Sequence, residues 1–103
     1  MKEKDLAIME QFRKCIPIFS VLNDAKRQEI ILILTDFPGE GLTVNGITER
    51  IDLSRPAVSH HLKVLKQAGV IGVRSCGVEN HYYLTFKAAL RNLKMVLCQI
   101  LGC

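Results

Sequence analysis

At 103 residues, with 49% hydrophobic and 23% charged side chains, the chain has the length and make-up of one folded domain, which excludes a disordered, fibrous or two-core protein. The formal net charge of +4 is unevenly spread: residues 1–52 carry seven Lys/Arg against nine Asp/Glu, whereas residues 53–103 carry seven against the single acid Glu79. A half-chain nearly stripped of acids suits a polyanion, because each cation set against a phosphate releases counterions.

The first predicted element is a helix over 3–19, with Leu6, Met9, Phe12 and Ile16 at helical spacing on one side, ended or bent at Pro17. Asn23 is read as the N-cap of a second helix, with Asp24 where the helix dipole favours an anion. That helix runs to about Thr35 and is apolar all round over Ile30–Leu34, so it is expected to be the central buried element. Phe37-Pro38-Gly39-Glu40-Gly41 is a turn. Thr43 caps a third helix, Val44 to Ile51, and Ser54 caps a fourth, with Pro56 in its first turn and Gly69 as its stop. The pattern then becomes strand-like over Val70–Ser75 and Asn80–Thr85, joined at a hairpin tip Cys76-Gly77-Val78-Glu79. A last helix spans Phe86 to Leu101, striped by Phe86, Leu90, Leu93, Leu97 and Ile100 and widened by Ala89, Val96 and Leu101. The order α-α-α-α-β-β-α is α+β, mostly α, in a single domain, 1–103.

Residues 43–69 hold two short helices joined by a tight turn, the second opening with Ser54-Arg55-Pro56-Ala57. This is the pattern of a helix-turn-helix, whose second helix enters the DNA major groove by its N-terminal end. Helical phase turns Val58, Leu62 and Leu65 inward. It turns Arg55, Pro56, Ser59, His60 and Lys63 outward, where they offer donors to base edges and phosphates. The hairpin over 70–85 follows as a wing, bearing Arg74 and Ser75 on one strand and Asn80 and His81 on the other, with Arg74 expected to anchor it to the DNA backbone. Candidate DNA-binding residues are therefore Ser54, Arg55, Pro56, Ser59, His60, Lys63, Arg74, Ser75 and Asn80. His61, three residues after Val58 and four before Leu65, suits packing at least as well as contact.

Residues 53–71, from Leu53 through Val58-Ser59-His60-His61-Leu62 to Ile71, resemble the recognition helix of ArsR/SmtB-type winged-helix repressors. Asn80 to Thr85 is similar to that family's second wing strand, and Leu22 to Ile31 to its second helix, although the family commonly has proline near Ala25. The resemblance implies a winged helix-turn-helix homodimer formed by the first and last helices (3–19 and 86–101). It also implies an imperfect palindrome of double-stranded DNA as partner and repression released by an inducer. The breadth of the apolar stripe on the last helix supports a dimer independently. Two metal sites known in the family lack their ligands here: Val44–Ile51 has no Cys or His, and nothing after His81 is His, Asp or Glu. No metal ligand set of this kind is expected.

Four cysteines in a chain that starts with an amphipathic, mixed-charge segment rather than a signal peptide are expected to be thiols of a cytoplasmic protein. No pair has C-x-x-C spacing. The longest apolar run, Ile30 to Leu34, falls far short of the roughly 20 residues of a membrane span, so no membrane partner is expected. Cys98 shares a flank of the last helix with Arg91 and Lys94, and nearby cations favour the reactive thiolate. Cys15, Cys98 and Cys103 are therefore candidate thiol-sensing residues for oxidants, persulfides, or bound trivalent arsenic or another soft metal. The alternative is that they are small buried hydrophobes. Cys76 falls at the wing tip, where incidental placement is the simpler reading.

The expected function is a homodimeric DNA-binding transcriptional repressor released by an inducer. Its rivals are a winged-helix module that binds protein, and a constitutive DNA binder without inducer. An enzyme is not expected, because three histidines and no Gly-rich phosphate loop provide no nucleophile–base pair or metal triad.

Overall fold

A computed structural model describes residues 1–85 and 87–102. The elements are α1 (Glu3–Leu22), α2 (Ala25–Thr35), α3 (Val44–Thr48), α4 (Arg55–Gln67), β1 (Ile71–Cys76), β2 (Glu79–Leu84) and α5 (Lys87–Leu101). This is the expected order of a winged helix-turn-helix. Phe86, placed in the last helix from sequence, and Cys103 lie outside the described residues.

Pro17 does not end α1, which continues to Leu22. The continuation is held by tertiary burial: Ile18 and Val21, beyond the proline, are core residues. Asn23 then closes α1 as its C-cap, and Asp24, not Asn23, becomes the N-cap of α2. Asp24 is extended, and its carboxylate accepts the Arg27 backbone N–H at 3.0 Å. The all-round apolar stretch of α2 is not buried all round either. Ile30 and Leu34 are sealed in, while Leu32 is 65% exposed. Successive helical positions point about 100° apart, so a helix covered mainly on one side must show one residue of such a run.

The core joins Ile18 and Val21 of α1, Ile30 and Leu34 of α2, Ile47 of α3 and Val58, Leu62 and Leu65 of α4 to Val70 and Ile71. Each buried branched side chain contributes about 1.5–3 kcal/mol. α3 is shorter than expected, stopping at Thr48 with Glu49 as C-cap. Its N-cap Thr43 and the α4 N-cap Ser54 act as the sequence indicated, accepting the backbone N–H groups of Gly46 and Ala57.

β1 and β2 pair antiparallel from Ile71 opposite Leu84 to Cys76 opposite Glu79, leaving Gly77-Val78 as the tip. Both strands lie within one residue of their expected bounds. Gly77 takes the positive φ (67°) that a two-residue turn needs. The hairpin is stitched to the α2–α3 connection by a reciprocal pair: Leu42 N–H to Tyr82 O (2.9 Å) and Tyr82 N–H to Leu42 O (2.7 Å).

α5 packs against α1. Cys15 and Val96 are buried there, outside the main cluster. The stripes picked out from sequence on these two helices are left open in part, since Phe12 and Leu93 are half-buried and Val96 is buried. On α1, Leu6, Met9, Ile16 and Phe19 are exposed; on α5, Leu90, Leu97, Ile100 and Leu101 are. The radius of gyration, 15.9 Å, exceeds the roughly 13 Å of a compact chain of this length.

Candidate nucleic-acid interface

α4 is sharply divided into two faces. Val58, Leu62 and Leu65 are buried, and Arg55, Pro56, Ser59, His60, Lys63 and Lys66 are exposed. Arg55, Ser59 and Lys63 follow one another at four-residue spacing, forming a polar ridge along the helix. Ser54 is committed to capping, its Oγ accepting the Ala57 N–H at 3.3 Å, so it fixes where the helix starts. Pro56 falls in the first turn, where its missing N–H leaves no helical bond unmade. None of Arg55, Lys63 and Lys66 makes an ion pair among the described residues, and α4 contains no acid. Its cations are thus available to an anionic partner.

His60 and His61 diverge. His60 is exposed, and His61 is half-buried with its Nδ1 enclosed and unpartnered among the described residues. Their ring centres stand 5.9 Å apart. His61 therefore packs, and His60 stays with the outer surface.

A polar cleft of about 190 Å³ separates the start of α4 from the wing. Arg55 lines it from one side, Asn80, Glu79, Val78 and Tyr82 from the other, and Thr43, Val44 and Asn45 close its end. The structure thus brings Arg55 and Asn80 to one opening. Ser75 joins them indirectly, through an Oγ–Oδ1 hydrogen bond of 3.1 Å to Asn80, its cross-strand partner. Asn45 was missed by the sequence reading; a polar residue two places beyond an N-cap at the same end of the helix pair was the available signal.

Arg74 does not join them. Strand alternation sends it to the hairpin face opposite Ser75, beside His81. Its guanidinium donates to the Gly39 carbonyl and lies 4.9 Å from the centre of the Tyr83 ring. His81 Nε2 stands 3.8 Å from the Glu79 carboxylate.

Of the candidate thiols, Cys15 is buried, Cys98 is half-buried on α5, and Cys103 lies outside the described residues. Cys76 is exposed at the end of β1. No group of three or more His, Cys, Asp and Glu suited to a metal ion occurs among the described residues, and no helix is long and apolar enough to cross a membrane.

Comparison with known proteins places these features in a family. Residues 24–72, which span α2, the helix-turn-helix and the start of β1, match the family of bacterial regulatory proteins of the arsR type. A helix-turn-helix transcriptional regulator of Methanocaldococcus jannaschii is 31% identical over 88 residues, covering 85% of this chain and 97% of that protein. The transcriptional repressor SdpR of Bacillus subtilis is 36% identical over 67 residues, 65% of this chain and 71% of the repressor. Among solved structures, the homodimeric winged helix-turn-helix DNA-binding domain of a Mycobacterium bovis protein superposes with a TM-score of 0.65 at 19% identity, over 99% of this chain and 87% of that one. At that identity the likeness speaks to the fold.

Proposed function

The chain belongs to the ArsR family of helix-turn-helix transcriptional regulators, and on that premise we propose that it is a homodimeric repressor that reads a two-fold symmetric DNA site with the N-terminal half of α4. The observation that carries this reading is the unpaired cationic ridge of α4 beside the wing cleft. Arg55, Ser59, His60 and Lys63 reach base edges and phosphates of the major groove, with Pro56 and the Ser54 cap setting the helix entry. Asn80, with Ser75 behind it, meets the DNA backbone across the cleft.

Dimerisation follows from the uncovered apolar faces of α1 and α5. Met9, Ile16 and Phe19 on one helix and Leu90, Leu97 and Ile100 on the other are large apolar side chains left exposed, the kind of surface that marks an interaction site. A second copy closes it with two-fold symmetry and spaces the two α4 helices for an imperfect palindrome. The relative named a repressor and the solved homodimer of like fold support the same assignment.

The release step is assigned to thiol chemistry on the α1–α5 layer. A thiol-reactive inducer reaches Cys98, half-buried on the helix flank it shares with Arg91 and Lys94, before it reaches the buried Cys15.

Fluorescence anisotropy on duplex DNA from upstream of the protein's own gene tests the reading. Reduced protein is expected to bind with steep salt dependence, and trivalent arsenic or mild oxidation to weaken it. Binding indifferent to both reagents would make it a DNA binder without a thiol signal. Absence of salt-sensitive binding would favour a protein-binding winged helix.

A further inference from the structure

The wing is tied to the α2–α3 connection at two levels. At its base, Tyr82 is bonded both ways to Leu42. Beyond that pair the hairpin extends three residues along each of β1 and β2 to a tip where Val78 is fully exposed. The residues that line the cleft against Arg55, Asn80 among them, are on this outer half.

One side chain ties it back. Arg74, paired with His81 across the hairpin, donates to the carbonyl of Gly39 in the α2–α3 connection and stacks on Tyr83. The Tyr83 ring lies over its own cross-strand partner Gly72, where a side chain would collide with the ring carbon and hydroxyl at 2.8 Å. Gly72 thus leaves the space that the Tyr83 ring occupies beside the guanidinium. The anchoring connection is itself held from its far side, by the Gly41 N–H bond to Phe37 O (3.0 Å) and by Arg50 over the Phe37 ring at 5.0 Å. Two residues past Gly41 comes Thr43, the cap of α3. Arg74 therefore links the outer end of the hairpin to the segment that leads into the helix-turn-helix.

We propose that Arg74 is a positioning residue of the DNA interface: seated on the Gly39 carbonyl and the Tyr83 ring, it holds the outer wing so that Asn80 faces Arg55 across the cleft. The proposal rests on the DNA-binding reading of that cleft, and it removes Arg74 from the set of phosphate contacts. Lysine is a poor substitute, because it lacks the planar fork that donates and stacks at once.

The test uses Arg74→Ala, Arg74→Lys, Asn80→Ala and the Arg74→Ala/Asn80→Ala pair on the upstream duplex at several salt concentrations. Arg74 is exposed and the Leu42–Tyr82 pair is untouched, so the variants are expected to fold. Both Arg74 variants are expected to bind about tenfold more weakly, as for loss of one charge-assisted hydrogen bond, with the salt slope of the parent. Asn80→Ala should cost markedly less in the Arg74→Ala background, and amide exchange of Ser75 to Asn80 in the free protein should quicken while that of Ile30 and Leu34 holds. A salt slope lower by about one with additive losses would make Arg74 a phosphate contact and overturn the proposal. Should the parent protein bind no duplex at all, the DNA-binding reading fails. The exchange measurement still decides the tether, because unchanged wing-tip exchange in Arg74→Ala overturns it.

Discussion

The α-carbon of Gly41 rests on the carbonyl of Tyr82 with no room for a β-carbon between them, and Gly41 holds a left-handed φ of 71°. Both constraints fall where the α2–α3 connection meets the wing. Gly41→Ala adds a side chain where it must displace backbone and strain φ together. The expected loss is about 3 kcal/mol of stability, measured as a lower urea midpoint, with faster amide exchange at Leu42 and Tyr82.

The two apolar positions of α2 that differ most in exposure should differ as much in energy. Leu34 is 1% exposed and Leu32 is 65% exposed. Leu34→Ala is expected to cost about 3 kcal/mol through lost burial and a cavity, and Leu32→Ala no more than about 0.5 kcal/mol. Chemical denaturation of the two variants checks the contrast.

Much of this architecture is legible in the chain. Ser54 ahead of Arg55-Pro56, the inward phase of Val58, Leu62 and Leu65, and Gly69 with its φ of 78° bound α4 and sort its faces by local rules alone. Pro17 misleads because the decision lies with Ile18 and Val21, which gain core contacts only if the helix continues. The open stripe of α5 is visible as an apolar face, but helical phase cannot say that Val96 rather than Leu97 meets α1. Arg74 illustrates a further limit. Period-two alternation already separates it from Ser75, yet its acceptor Gly39 is 35 residues upstream and no local pattern points to it.

Asp24 makes the stability of α2 pH-dependent. The backbone N–H of Arg27, helped by the Arg27 charge, holds the Asp24 carboxyl below its ordinary value of 3.8. A lowered folded-state pKa means that the contribution is present above 3.8 and is lost as pH falls through the lower folded value. The stability gap between the parent and Asp24→Ala should be steady from neutral pH down to about 3.8 and narrow between there and the lower folded value. Denaturation curves at a series of acid pH values read this directly.

The open faces of α1 and α5 predict a dimer that a single charge disrupts. Leu97 is about half exposed in one chain, so Leu97→Glu leaves the monomer folded and buries an unpaired carboxylate at the interface. Sedimentation equilibrium should show the dimer dissociation constant rising by about 100-fold or more, with the far-UV dichroism of the parent retained. The same variant should bind a two-half-site duplex far more weakly.

Whether the exposed ridge of α4 reads DNA is decided by the salt dependence of binding for the parent and for Arg55→Ala and Lys63→Ala on the upstream duplex. Each substitution removes one cation per protomer from a helix without acids. Each is expected to weaken binding by about tenfold or more and to lower the salt slope by about one per lost phosphate contact. Affinity and slope unchanged in both variants would contradict the account.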